Sequence, residues 1–116
     1  MDMSHQDHYN DVMGGIGELG KEIPESVNAF FKLHHAALAD GALPKATKEL
    51  LALAIGIAVR CGGCITCHVK DALDSGATPE QVYETIGVAI LMGGGPSAVY
   101  GAEAAKAVKE FAGVPA

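Results

Sequence analysis

Tryptophan is absent from this 116-residue chain, and tyrosine and phenylalanine occur only three times each. Hydrophobic residues still make up 49% of it, much of that alanine. A core with so few rings and so many small side chains favours helices whose backbones approach closely. Basic residues are scarce: Arg60 is the single arginine, and lysine plus arginine number eight against fourteen acids, a net charge of −6. With no basic cluster to follow phosphates, nucleic acid is excluded as a partner. Long apolar runs are also missing. The best, Leu50 to Val59, has ten residues, against roughly 20 for a bilayer span, so no membrane partner is expected. The opening residues MDMSHQDHYND are polar and acidic, unlike a leader. These absences point to a cytoplasmic protein, where closely spaced cysteines serve catalysis or metal binding rather than stapling.

What is present reads as helices divided by breakers. The length suits one domain, residues 1–116, with 1–20 loosely ordered or an arm in an oligomer. DHYNDVMGGIGELGKEI is a glycine-interrupted helical start. PESVNAFFKLHHAALADG has Pro24 early, apolar residues at three- and four-residue steps, and Gly41 as a stop. PKATKELLALAIGIAVR repeats that pattern, with Arg60 in its last turn, before Gly62-Gly63 interrupts. CITCHVKDALDSG resumes to Gly76. TPEQVYETIGVAILMGG begins with Thr78 as N-cap, Pro79 at the first helical position and Gln81 three residues after the cap. SAVYGAEAAKAVKEFAG closes the chain. The expected fold class is all-α, a compact bundle of about six helices. Leu50 to Val59 is apolar on both faces, which implies burial against a second copy in an obligate homo-oligomer.

All three cysteines fall in RCGGCITCHVKDALDSG, which contains two overlapping CxxC patterns. On a helix His68 lies one turn after Cys64 and on about the same side as Cys61, whereas Cys67 points about 100° away. A helix starting near Gly63 places Cys61 at its N-terminus, where the macrodipole favours thiolate. CITCH matches a c-type haem attachment signature, but nothing else suits a haem protein. Four zinc ligands within eight residues of one helix cannot easily surround a tetrahedral metal. An iron–sulfur cluster needs a fourth cysteine. No cofactor or metal is therefore expected. Cys67 reads as a small core hydrophobe. Glu49, on the preceding helix, can orient His68 if the Gly62-Gly63 break turns the chain back.

Other residues carry weaker signals. Arg60 reads as a C-terminal helix cation, with depression of a thiol pKa as its functional alternative. Of His34 and His35, one should face the core and one the solvent. His5 and His8 belong to a polar N-terminus, and Tyr100 to the core.

The pattern Glu49-x11-Cys61-x2-Cys64-x3-His68, followed by Ala72, Gly76, Thr78 and Glu80, resembles the active-site segment of the carboxymuconolactone decarboxylase superfamily, in particular its alkylhydroperoxidase D-like branch. The similarity spans about residues 25 to 112. It implies a helical subunit assembled into trimers or hexamers, with thiol-dependent peroxidase activity on hydroperoxides. Carried across, Cys64 is the peroxidatic thiol and Cys61 the resolving thiol. Glu49 and His68 relay the proton, and an external dithiol or disulfide reductase resets the Cys61–Cys64 disulfide. Gly63 stands where alkylhydroperoxidase D proteins often carry His. The alternatives are a carboxymuconolactone-type decarboxylase, which has no need of a redox CxxC, and a non-catalytic redox sensor or scaffold.

Overall fold

Six helices account for nearly all of residues 3–113, which the computed structural model describes: α1 (His5–Glu22), α2 (Pro24–Leu38), α3 (Lys45–Ala58), α4 (Gly62–Asp74), α5 (Pro79–Gly93) and α6 (Gly95–Phe111). Among the described residues there is no strand, and no helix is long and apolar enough to cross a membrane. The fold is all-α. α3 packs along α4 and α5, and α6 crosses α4 and α5. Their inner faces meet in a core of Leu53, Ile57, Ile65, Val69, Val82, Ile86, Ala89, Ala104, Ala107 and Val108. Gly101 brings α6 close to α5, since a Cβ there would stand 2.7 Å from Ile86 Cγ2.

The starts and stops follow local chemistry. Pro24 cannot donate a backbone hydrogen bond, so α1 ends at Glu22 and α2 departs after the single residue Ile23. α5 opens with the expected capping box, Thr78 and Gln81 each bonding the other's backbone. α4 ends in a Schellman turn, with Ala77 N–H bonded to Ala72 O and Gly76 at φ 103°.

Three details differ from the sequence expectation. α2 stops at Leu38 rather than Gly41, because Ala39 already turns extended. α3 stops at Ala58, so Arg60 is not in its last turn. Instead Arg60 is the left-handed residue of a Schellman turn, at φ 63°, with its N–H on Ile57 O and that of Cys61 on Gly56 O. The break therefore falls at residues 59–61, and Gly62-Gly63 forms the first turn of α4. The N-terminal segment is an uninterrupted helix despite Gly14, Gly15, Gly17 and Gly20. None of its residues is buried. It is held from outside itself: the Glu110 carboxylate accepts from His5 N–H (2.8 Å) and Gln6 N–H (2.7 Å), satisfying orphan donors at the α1 N-terminus.

α3 shows why site and core are one structure. Its buried residues are Glu49, Leu53, Gly56 and Ile57, a single helical stripe. A carboxylate thus occupies a position where the pattern calls for an apolar side chain. On the opposite face Leu51, Ile55 and Val59 stand exposed at four-residue steps, and on α5 Leu91 and Met92 are each 79% exposed.

Candidate functional site

The left-handed turn at Arg60 delivers Cys61 to the N-cap of α4, where its sulfur accepts from the Cys64 N–H at 3.2 Å. Cys61 and Cys64 are joined by a disulfide, their Cα atoms 5.2 Å apart. Both sulfurs lie at the positive end of α4, which stabilises a thiolate released on reduction. Glycines admit this crowded turn. A Cβ on Gly56 would sit 3.2 Å from Cys64 Cβ, and one on Gly63 would sit 3.2 Å from Val12 Cγ2 of α1. The absence of a side chain at position 63 is therefore what lets α1 pack over the dithiol.

Glu49 is fully buried, and its two oxygens are separately engaged. Oε1 accepts from His68 Nδ1 at 2.8 Å, and Oε2 from Lys45 Nζ, one turn earlier, at 2.8 Å. Burial alone raises the Glu49 pKa, but the hydrogen bonds and charges of His68 and Lys45 outweigh it and hold the carboxyl below its usual range. An ionised carboxylate only accepts, so His68 carries a proton on Nδ1, and its neutral ring has its lone pair on Nε2. His68 and Cys64 both line one cavity, one helical turn apart.

That cavity has a volume of about 160 Å³. Val12, Met13 and Ile16 of α1 and Phe30 and Phe31 of α2 give it an apolar wall. Its polar side is formed by Cys64, Cys67, His68, Asp71 and His34. Burial, and then the Glu49 charge, push the Asp71 pKa up. Burial, then Asp71, push the Cys67 thiol up to about 11, which disfavours its thiolate at neutral pH. Donor atoms of Glu49, His68 and Asp71 lie within 4.8 Å of one another, the spacing a metal ion needs. Both Glu49 oxygens are already taken by His68 and Lys45.

The structure joins Cys61 to Cys64, bonds His68 to Glu49, and sets Cys64 and His68 in the wall of one cavity. It also supplies two residues that the sequence reading did not assign to a site. Asp71 had a legible signal, seven after Cys64 and three after His68 on one helix face. His34 had only the expectation that one of the pair His34–His35 faces inward. Its ring stacks on His68, centroids 6.0 Å apart and planes 17° apart, whereas His35 is exposed. Tyr100 packs against the core as expected. The His8 ring bonds the buried Thr66 hydroxyl at 3.0 Å.

An all-helical subunit with a dithiol at a helix N-terminus, backed by a buried Glu–His pair, defines a recognisable class. The chain belongs to the carboxymuconolactone decarboxylase family, whose model matches residues 24–107. The match starts at Pro24, so α1 lies before it. An uncharacterised protein of Cupriavidus necator is 42% identical over 89 residues, covering 77% of this chain and 79% of its own. An uncharacterised protein encoded in the cox locus of Paracoccus denitrificans is 38% identical over 98 residues, covering 84% and 88%. Among crystal structures, a family protein from Legionella pneumophila in its apo form superposes with TM-score 0.88 at 43% identity, covering 92% of this chain and 96% of that one. A Thermotoga maritima family protein, suggested to take part in an antioxidative response, superposes with TM-score 0.72 at 26% identity, covering 85% and 91%.

Proposed function

We propose that the protein is a thiol-dependent peroxidase of the alkylhydroperoxidase D type, reducing hydroperoxides through Cys61 and Cys64. The observation that carries this reading is the Cys61–Cys64 disulfide, with Cys64 in the wall of the cavity that also holds the Glu49-paired His68. In the reduced enzyme His68 Nε2 takes the Cys64 proton, and Glu49 stabilises the resulting imidazolium. The Cys64 thiolate attacks the peroxide, giving a sulfenic acid and an alcohol or water. The Cys61 thiol then displaces water from that sulfenic acid and closes the disulfide. An external dithiol or disulfide reductase reopens it by exchange, as suits a reducing, cytoplasmic setting. Cys67 lies outside this pair, and burial together with Asp71 disfavours its thiolate.

The exposed apolar stripes on α3 and α5 support assembly of identical subunits into a trimer or hexamer, since monomers rarely leave such faces in water. Nothing in the site specifically favours decarboxylation, which has no use for a redox pair. The test is turnover with dithiothreitol as reductant. Cys64→Ser and Cys61→Ser should each abolish catalytic consumption of tert-butyl hydroperoxide. Survival of turnover in both variants overturns the peroxidase reading.

A further inference from the structure

The cavity contains a second imidazole that the reaction above leaves idle. We propose that His34 is a further catalytic residue, the general acid that protonates the oxygen leaving as the peroxide bond breaks; this rests on the peroxidase reading. The leaving oxygen of an alkyl hydroperoxide is strongly basic, so its departure needs a proton in the transition state.

His68 is poorly placed to supply that proton. Its Nδ1–H is held by the buried Glu49 carboxylate, and once it has taken the Cys64 proton the same carboxylate retains the imidazolium charge. His34 has no such clamp: among the described residues the histidine ring hydrogen bonds are those of His8 to Thr66 and His68 to Glu49. Its ring is nevertheless fixed. Phe31 meets it edge-on at 6.4 Å and Phe30 at a tilt, 6.1 Å away. These two residues lie three and four positions earlier on the same face of α2. The nearly parallel stack on His68 couples the two rings. His34 from α2 and His68 from α4 thereby line the same cavity side by side.

The step balances. The Cys64 thiolate forms an S–O bond to one peroxide oxygen as the O–O bond breaks, and sulfur is oxidised by two electrons. The O–O electron pair goes to the other oxygen, which takes the His34 proton and leaves as alcohol. His68 then releases the Cys64 proton to solvent and His34 takes one back from it, so both rings return to their starting state and the net proton delivered to the alcohol is that of the Cys64 thiol. The Cys61 thiol and the Cys64 sulfenic acid then condense to disulfide and water. His34, contributed by α2, thus provides acid function beside a dithiol whose intervening position 63 has no side chain.

Leaving-group dependence tests this. His34→Phe preserves an aromatic ring against His68, Phe30 and Phe31 but removes the proton. With dithiothreitol as reductant, it should lower kcat/KM for tert-butyl hydroperoxide by about 10²-fold or more. Its kcat/KM for peracetic acid should change little, because acetate departs without a proton. Alkylation of Cys64 by iodoacetamide in the reduced protein should keep its wild-type rate. His34→Gln is the second variant should the phenylalanine form not fold, with the same pattern expected. Equal losses for both oxidants, no loss for the alkyl hydroperoxide, or slowed Cys64 alkylation would each overturn the general-acid role. A wild-type protein that turns over neither oxidant refutes the peroxidase reading itself, and the role with it.

Discussion

Replacing Glu49 by Gln changes one heavy atom at the most enclosed charged position of the site. The carboxylate is fully buried and accepts from His68 Nδ1 and Lys45 Nζ, each at 2.8 Å. The amide keeps the shape but not the charge. Turned with its NH2 toward His68, it demands a lone pair on Nδ1, which shifts the ring proton to Nε2 and removes the base facing the cavity. Turned the other way, it keeps the tautomer but no longer stabilises the imidazolium. Loss of a positioned base of this kind typically costs about 10²–10⁴ in rate, or about 3–5 kcal/mol at 1.36 kcal/mol per tenfold. The stability cost should be smaller, about 1–3 kcal/mol for weakened charge-assisted hydrogen bonds, because Lys45 is half-exposed and can turn to water. The fall in kcat/KM should thus exceed the urea-measured loss of stability. The variant should also lose part of the acid sensitivity of folding. A carboxyl held below its usual range in the fold contributes stability above that range and loses it as pH falls through the folded value. A Gln variant within a fewfold of wild-type turnover, or one slowed only as far as it is unfolded, would refute the Glu49–His68 relay.

Gly101→Ala should destabilise the fold by about 1–3 kcal/mol in urea titration, since its Cβ would press on Ile86 Cγ2 from 2.7 Å. A gain in stability, as helix propensity alone gives, would contradict that close α5–α6 crossing. In the reduced protein, iodoacetamide should label Cys67 slowly at pH 8 and faster as pH climbs toward about 11. Asp71→Asn should accelerate that labelling by removing the negative charge that helps raise the thiol. Rapid labelling of Cys67 at neutral pH would contradict its assignment as a bystander.

The helical plan was legible because its punctuation is chemical. Pro24, Pro79 and Thr78 mark starts that the structure keeps, and the spacing of Cys61, Cys64 and His68 alone places them around one helix face. Glu49 required more than local pattern: a carboxylate early in a helix is ordinarily solvated, and its motif spacing to the cysteines separated it from that default. Arg60 misled because a non-glycine residue in the left-handed region leaves no compositional mark, while the neighbouring glycine pair looked like the break. Those glycines serve packing instead, with Val12 seated against Gly63. His34 and the apolar cavity wall stayed hidden because they depend on how α1 and α2 lie over α4. No period within one helix encodes that crossing, and α1 has no buried residue from which to read a face.

The most direct measurement counts thiols in the fully reduced protein before and after one equivalent of tert-butyl hydroperoxide, then maps the product by mass spectrometry. Two of the three thiols should disappear together, leaving a Cys61–Cys64 disulfide and a free Cys67. A Cys64–Cys67 bridge, or a full complement of thiols after peroxide, would contradict the assignment of Cys61 and Cys64 as the working pair.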